Sequence, residues 1–476
     1  MAESNTTPVT AHEDTIAAIA TAPGVGAIAI IRVSGSRAIA SLENIFRGKH
    51  SLTNVASHTI HFGQIVGDAG TPIDEVLVSV FRAPHSYTGE DSVEVSCHGG
   101  VIVTQKILEE ILRHEIRHAL PGEFTRRAFL NGRIDLAQAE AVADLIHSQS
   151  QDAQEASLAQ LEGALSNVVR AIREELLHAT SLLELNLDFA EEDIDLTPRD
   201  ALHERIIAMR ALLAGMLSTY SSGKIIRDGL RIAIVGKPNA GKSSLLNALI
   251  GTNRAIVTDI PGTTRDFIEE SLMKNGQLLR LIDTAGLRAT SDLIEQKGMD
   301  FSMEQMQAAD IICNVIDLSA PEIFPMVIQR ELDWFVQHNV EANRIVFVFN
   351  KMDLLSAKSD TIDALRRNTS VPQFFIAALH NAGIDELAQW FAEYARALSR
   401  RTIEGDVLVT NARHADCLRK AGDFLDKAEQ ALGSGLTEEY VAYELRQATD
   451  ALGEIIGAVT SDDVLNNIFS RFCIGK

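Results

Sequence analysis

Gly236-Lys237-Pro238-Asn239-Ala240-Gly241-Lys242-Ser243 is the stretch on which the fold turns. The apolar run Arg231–Val235 precedes it and the helical-looking Ser244–Ile250 follows. Strand, glycine loop and helix in that order match the phosphate-binding pattern G-x-x-x-x-G-K-S. Its glycines let backbone N–H groups curl around phosphates, and the helix N-terminus adds partial positive charge. Lys242 supplies a cation for the β- and γ-phosphates, and Ser243 a hydroxyl for Mg2+.

Further elements follow in order. Asp283-Thr284-Ala285-Gly286 ends the apolar strand Leu278–Ile282. An Asp there can hold the metal through water, and the Gly286 N–H can reach the γ-phosphate. Asn350-Lys351-Met352-Asp353 ends the strand Arg344–Phe349. The Asp353 carboxylate can accept from the guanine N1–H and 2-amino group, which adenine lacks, so this motif selects GTP. Between them, Pro261-Gly262-Thr263-Thr264-Arg265-Asp266 offers Thr264 as a switch threonine over Mg2+. Asn275-Gly276, flanked by Phe267–Lys274 and Gln277–Ile282, signals a hairpin. Alternating strands and helices over residues 230–395 indicate a doubly wound α/β unit.

The chain has 476 residues, a length expected to give about three domains. Residues 14–131 mix short strands (Ala27–Val33, Thr59–Val66, Glu75–Phe81, Ser92–Ser96) with a helix over Val101–His114, an α+β pattern. Three-and-four spacing of apolar residues over Leu136–Leu187, and again from Asn411 onward, predicts long amphipathic helices. An acidic run, Asp188–Pro198, reads as a solvated turn. The α/β unit is therefore expected as an insertion in a helical domain. The expected boundaries are 1–131, 132–228, 229–398 and 399–476.

Net charge is −22, which disfavours bulk attraction to nucleic acid or anionic membranes. Five arginines between Arg113 and Arg133 face only Glu115 and Glu123, so this window is either an RNA contact or a solvated face. The four cysteines form no C-x-x-C pair, which fits a reducing compartment. The polar N-terminus has no basic leader, and 16–33 reads as two strands and a turn. A cytoplasmic protein is expected.

Together the motifs resemble the MnmE (TrmE) family of tRNA modification GTPases. The resemblance extends to Pro121–Phe124, Arg127–Gly132, Asp135–Ala141 and the terminal Phe472-Cys473-Ile474-Gly475-Lys476. It implies a tetrahydrofolate-binding-like α+β domain, an all-α helical domain, and a Ras-like P-loop G domain inserted in the latter. It implies a homodimer working with a flavin-dependent MnmG (GidA) family partner on the wobble uridine of certain tRNAs, with no membrane. GTP contacts map to Asn239, Ala240, Gly241, Lys242, Ser243, Ser244, Thr258, Thr263, Thr264, Asp283, Thr284, Ala285, Gly286, Asn350, Lys351, Asp353, Ala377 and Ala378. Mg2+ maps to Ser243 and Thr264, and K+ to Asn239, Thr258, Ile260 and Thr263.

Leu287 stands where related GTPases often place a water-orienting glutamine, so catalysis must come from elsewhere. The resemblance points to K+ as the neutralising charge and to Glu295 on the attacking water. Arg288 is either a finger in cis or an ordinary switch arginine. A 5-formyl- or methylene-tetrahydrofolate is expected at Arg32, Glu94, Arg133 and Lys476, with Cys473 close by as nucleophile or structural tip. Cys97-His98 lacks a third group and reads as a buried structural pair.

The stripe Val464, Leu465, Ile468, Phe469 and Phe472 is expected to anchor the last turn, with Gly475 giving freedom beyond it. The alternatives are a switch GTPase directing assembly, without modification chemistry, and an aminomethyltransferase regulated by its G domain.

Overall fold

The computed structural model describes residues 14–67, 70–188, 199–252, 269–283, 305–319, 326–354, 371–399, 407–434, 436–470 and 472–476. Two compact units divide the chain. One comprises Met1–Ile146, Ala159–His203 and Phe424–Lys476; the other, His147–Leu158 and Glu204–Asp423.

The first unit opens with β1 (Thr15–Ile19) and β2 (Ile28–Ser34), paired antiparallel as the interrupted apolar stretch indicated. Helix α1 (Ala38–Ile45) and strands β3 (Phe46–Gly48), β4 (Thr59–Val66), β5 (Pro72–Phe81) and β6 (Ser92–His98) follow. Then come α2 (Val101–Leu112) and β7 (Ile116–His118). The seven strands form one sheet in the order β3-β4-β5-β6-β2-β1-β7, with β7 alone joined in parallel. Side chains alternate across a strand. Ile31, Val33, Val78, Val80, Val93 and Val95 therefore share a core with Leu42 and Ile107, while Arg32 and Glu94 turn to the opposite face.

Helices α3 (Glu123–Leu130), α4 (Leu136–His147), α5 (Gln151–Leu161), α6 (Ala164–Asp188), α7 (Arg199–Ser218) and α8 (Tyr220–Asp228) continue the chain. Of the predicted acidic turn, Asp188–Pro198, the first residue ends α6 and 189–198 lie outside the described residues.

The second unit contains β8 (Leu230–Val235), α9 (Lys242–Thr252), β9 (Glu269–Lys274), β10 (Gln277–Asp283) and β11 (Ile311–Asp317). It continues with α10 (Met326–Gln337), β12 (Ile345–Asn350), β13 (Gln373–Phe375) and α11 (Ile384–Ser399). Sheet order is β13-β12-β11-β8-β10-β9, and only β9 runs antiparallel. Leu245, Leu249, Leu387 and Phe391 cover one face, and Ile328 and Phe335 the other. This is the doubly wound arrangement that strand–helix alternation predicted. At the β9–β10 turn Asn275 (φ 51°) and Gly276 (φ 81°) both take the left-handed conformation a two-residue hairpin demands.

The chain enters and leaves this sheet side by side. Ser222 Oγ on α8 donates to the Leu398 carbonyl at 2.8 Å, and the Val409 N–H donates to Thr219 Oγ1 at 3.0 Å.

Helices α12 (Ala412–Ser434), α13 (Glu438–Ile456) and α14 (Asp462–Phe469) complete the fold. Helix α13 packs along α6, where Arg446 Nε donates to Glu184 Oε1 at 2.9 Å. Leu465, Phe469 and Phe472 bury against Phe129, Leu136 and Val142, so the final turn is anchored as its apolar stripe predicted. Val464 departs from that stripe and remains 37% exposed.

Candidate nucleotide site and candidate charged pocket

The glycine loop leaves β8 at the carboxyl end of a strand central to its sheet, and Lys242 opens α9. Gly236 (φ 140°), Asn239 (φ 63°) and Gly241 (φ 95°) bend it through left-handed conformations. A Cβ on Gly236 would overlap the Val315 carbonyl oxygen, and one on Gly241 would overlap the Asn350 amide nitrogen. Glycine is thus required by close approach at both positions. Lys242 Nζ donates to the Gly236 and Lys237 carbonyls at 2.8 and 3.0 Å, which holds its ammonium over the loop. Ser243 is exposed and Ser244 half-buried on the first turn of α9. A cradle lined by glycine backbone, a lysine and a helix N-terminus fits a phosphate chain.

Asn350 ends β12 almost fully buried, and its side chain braces the site. Its Nδ2 donates to the Ala240 carbonyl at 2.9 Å, and its Oδ1 accepts from the Ala378 N–H at 3.1 Å. Lys351 (φ 66°) reaches Asp317 Oδ2 at 2.5 Å. Asp317 also accepts from the Ser319 N–H and hydroxyl. Burial raises its pKa, but Lys351 and Ser319 outweigh burial and hold the carboxyl below its ordinary range. The Asp353 carboxylate is partly exposed, with His380 Nε2 3.6 Å from Oδ2. Ala377 and Ala378 sit on the adjacent loop, so Asn239–Ser244, Asn350, Lys351, Asp353, Ala377 and Ala378 converge at one end of the sheet.

Asp283 closes β10, but its side chain lies outside the described residues. Thr258, Ile260, Thr263, Thr264, Thr284, Ala285, Gly286, Arg288 and Glu295 also lie outside them.

The first unit holds a second cluster. Arg32 and Glu94 are direct cross-strand partners on β2 and β6. Arg32 Nε and Nη2 both lie 2.9 Å from Glu94 Oε1. The guanidinium carbon sits 5.1 Å from the Tyr87 ring centroid and 5.7 Å from that of Phe124, within cation–π range. The Tyr87 hydroxyl shares a hydrogen bond with Thr125 Oγ1 at 2.8 Å, and burial pushes the phenol up. Arg32 Nη1 donates to the Gly475 carbonyl at 3.5 Å. Lys476 adjoins the same group: burial, then Arg32, lowers the pKa of its ammonium. Arg133 Nε donates to the Ser86 carbonyl at 3.2 Å, on the loop that also carries Tyr87. The structure thus gathers Arg32, Glu94, Lys476 and Cys473, with Arg133 at the edge. Cations around one carboxylate fit a ligand bearing both acidic and amide-like groups.

Sequence missed Tyr87, Phe124 and the Gly475 carbonyl. Nothing local marks an aromatic as a partner for an arginine far away in the chain.

The arginine window is a solvated face only in part: the Arg113 and Arg117 side chains are 56% and 41% exposed. Arg127 is completely buried and donates to Asp14, Glu90 and Glu123, while Arg117 pairs with Asp14 and Glu123. Distant carboxylates consume the apparent surplus. Cys97 and His98 are likewise no buried pair, because adjacent strand residues face opposite ways. Cys97 is in the core, its thiol pushed up to about 11 by burial and Asp74, whereas His98 is exposed and bonds Asp74 Oδ1 at 2.7 Å.

A parallel sheet with a glycine–lysine loop at its central strand, and an Asn-Lys-x-Asp motif braced against that loop, defines a P-loop GTPase. Residues 136–473 match the MnmE helical domain family, and residues 15–133 match the GTP-binding protein TrmE N-terminus. The chain is 42% identical over 474 residues to the tRNA modification GTPase MnmE of Cytophaga hutchinsonii, covering 99% of this chain and 100% of that protein. Identity to the protein of the same name from Moorella thermoacetica is 45% over 476 residues, covering 98% and 100%. For Salinibacter ruber it is 43% over 473 residues, covering 98% and 100%. The chain belongs to the MnmE (TrmE) family and is a GTPase of that family.

Proposed function

We propose that this GTPase is stimulated by K+ and acts with a flavin-dependent MnmG (GidA) family partner. Together they install an aminomethyl or carboxymethylaminomethyl group at C5 of the wobble uridine of certain tRNAs. The carrying observation is the presence in one chain of two sites: a braced P-loop, and a separate pocket where Arg32 and Lys476 flank Glu94. The relatives' shared name, tRNA modification GTPase, supports the same reading.

In this reading Lys242 and the loop N–H groups bind the phosphates, and Asp353 with Ala377 and Ala378 selects guanine. Ser243 and Thr264 hold Mg2+, while Asn239, Thr258, Ile260 and Thr263 hold K+. The bound cations neutralise charge on the β- and γ-phosphates. With Leu287 unable to polarise water, Glu295 orients the nucleophile, and Arg288 assists.

Arg32, Glu94, Arg133 and Lys476 bind 5-formyl- or methylene-tetrahydrofolate, and Cys473 lies at its edge. The protein works as a cytoplasmic homodimer, with residues 1–131 as the folate-binding and dimerisation domain. The G domain, 229–398, divides a helical domain of 132–228 and 399–476. The partner supplies most of the RNA affinity.

Deletion of the protein followed by mass spectrometry of tRNA wobble uridines tests this. Loss of the C5 substituent is expected; an unchanged modification profile would sink the proposal.

A further inference from the structure

We infer that Gly475 is a positioning residue of the charged pocket, seating the C-terminal tail on the first unit by a backbone fit that no other residue can make. The inference rests on the folate reading of that pocket and adds a residue which that reading does not contain.

The tail is bound through its backbone. Phe472 is buried, and the Cys473 carbonyl accepts from the Gly122 N–H at 3.5 Å and the Lys476 N–H at 3.3 Å, which closes a turn. Gly475 sits inside that turn, buried, with φ +97°. A Cβ there would overlap the Ile19 carbonyl oxygen and lie 2.9 Å from the Ala20 Cα. Both obstacles are backbone at the end of β1, so they cannot rotate away. On its other side the Gly475 carbonyl meets Arg32 Nη1. Sequence reading gave Gly475 a loosening role; the packing gives it the opposite one. Its missing side chain lets the tail lie flush, so that Lys476 stands beside Arg32 and Glu94.

Any side chain at 475 must lift the turn, separating Lys476 and the Gly475 carbonyl from Arg32. The protein carries its own reporter for this. Cys97, Cys313 and Cys417 are buried and only Cys473 is exposed, so a thiol reagent reads the tail alone.

The test compares full-length wild type with Gly475→Ala. Calorimetry measures binding of 5-formyltetrahydrofolate, and a fluorescent maleimide measures the reaction rate of Cys473. GDP affinity and thermal midpoint serve as controls for folding. The expected result is folate affinity weaker by about tenfold or more and faster labelling of Cys473, with both controls unchanged. Wild-type affinity and labelling rate in the variant would overturn the inference. Wild-type protein that fails to bind the folate would overturn the pocket reading instead. The labelling rate then judges the seat by itself: faster labelling in the variant upholds it, and equal rates refute it.

Discussion

Asn350 and Ala240, 110 positions apart, are joined by a hydrogen bond of 2.9 Å from the asparagine amide to the loop carbonyl. The same side chain accepts from the Ala378 N–H, so one buried amide couples the phosphate loop to the loop beside Asp353. Asn350→Ala leaves a buried acceptor and a buried donor without partners, at a cost of about 1–3 kcal/mol. GDP affinity should fall by roughly tenfold or more, measured by calorimetry. Unaltered affinity would show that the brace does not shape the bound state.

The proposed role of Asp353 is to accept from the guanine N1–H and 2-amino group. Asp353→Asn removes the charged acceptor and offers an amide donor that suits the C2 carbonyl of xanthine. GTP affinity should drop by roughly 2–5 kcal/mol, while affinity for xanthosine triphosphate rises. Competition binding with both nucleotides decides it; an unchanged preference removes Asp353 from base selection.

Leu287 leaves the water-orienting place without a polar group, and the function proposed above assigns charge neutralisation to K+. GTP turnover in K+ should exceed that in Na+ at matched ionic strength by on the order of 10²-fold. Asn239→Ala should abolish most of the difference. Equal rates in the two salts would eliminate the cation from the mechanism.

The carboxylates around Arg117 and Arg127 make stability fall in acid. Burial raises the pKa of Glu123, but hydrogen bonds from Arg117, the Leu120 N–H and Arg127 outweigh it and hold the group below the ordinary range. Asp14 is depressed in the same way, burial being outweighed by Arg117 and Arg127. Because the folded values lie below the unfolded ones, the stabilisation is complete above about pH 4.5. It is lost as pH falls through the folded values. Glu123→Gln breaks a buried ionic cluster and should lower stability near neutral pH by about 3–5 kcal/mol. Its thermal midpoint should also decline less steeply than that of wild type below about pH 4.5. Parallel declines would assign the acid sensitivity elsewhere.

The described part of the candidate nucleotide site was legible because its chemistry is written at short range. The P-loop, Asn350-Lys351-Met352-Asp353 and the Asn275-Gly276 turn each carry their geometry in a few consecutive residues, and parallel strands placed the first two at one end of a sheet. The long helices were legible for the same reason. Arg127 was not: counting charges in a window cannot see Asp14 or Glu90, which the sheet brings in from outside it. Cys97 and His98 show a smaller failure of that kind, since adjacency in sequence places strand residues on opposite faces. Tyr87 over Arg32, and Gly475 against Ile19, depend on pairs that only the folded chain creates.

Ser222 and Leu398 lie a single hydrogen bond apart. The polypeptide therefore passes in and out of the nucleotide-binding sheet through one doorway. A short turn can bridge the gap when the intervening segment is cut away, and the excised piece already has adjoining ends. Those are the conditions under which a module survives transplantation between hosts or rearrangement of its termini. The doorway makes this enzyme a natural substrate for such surgery.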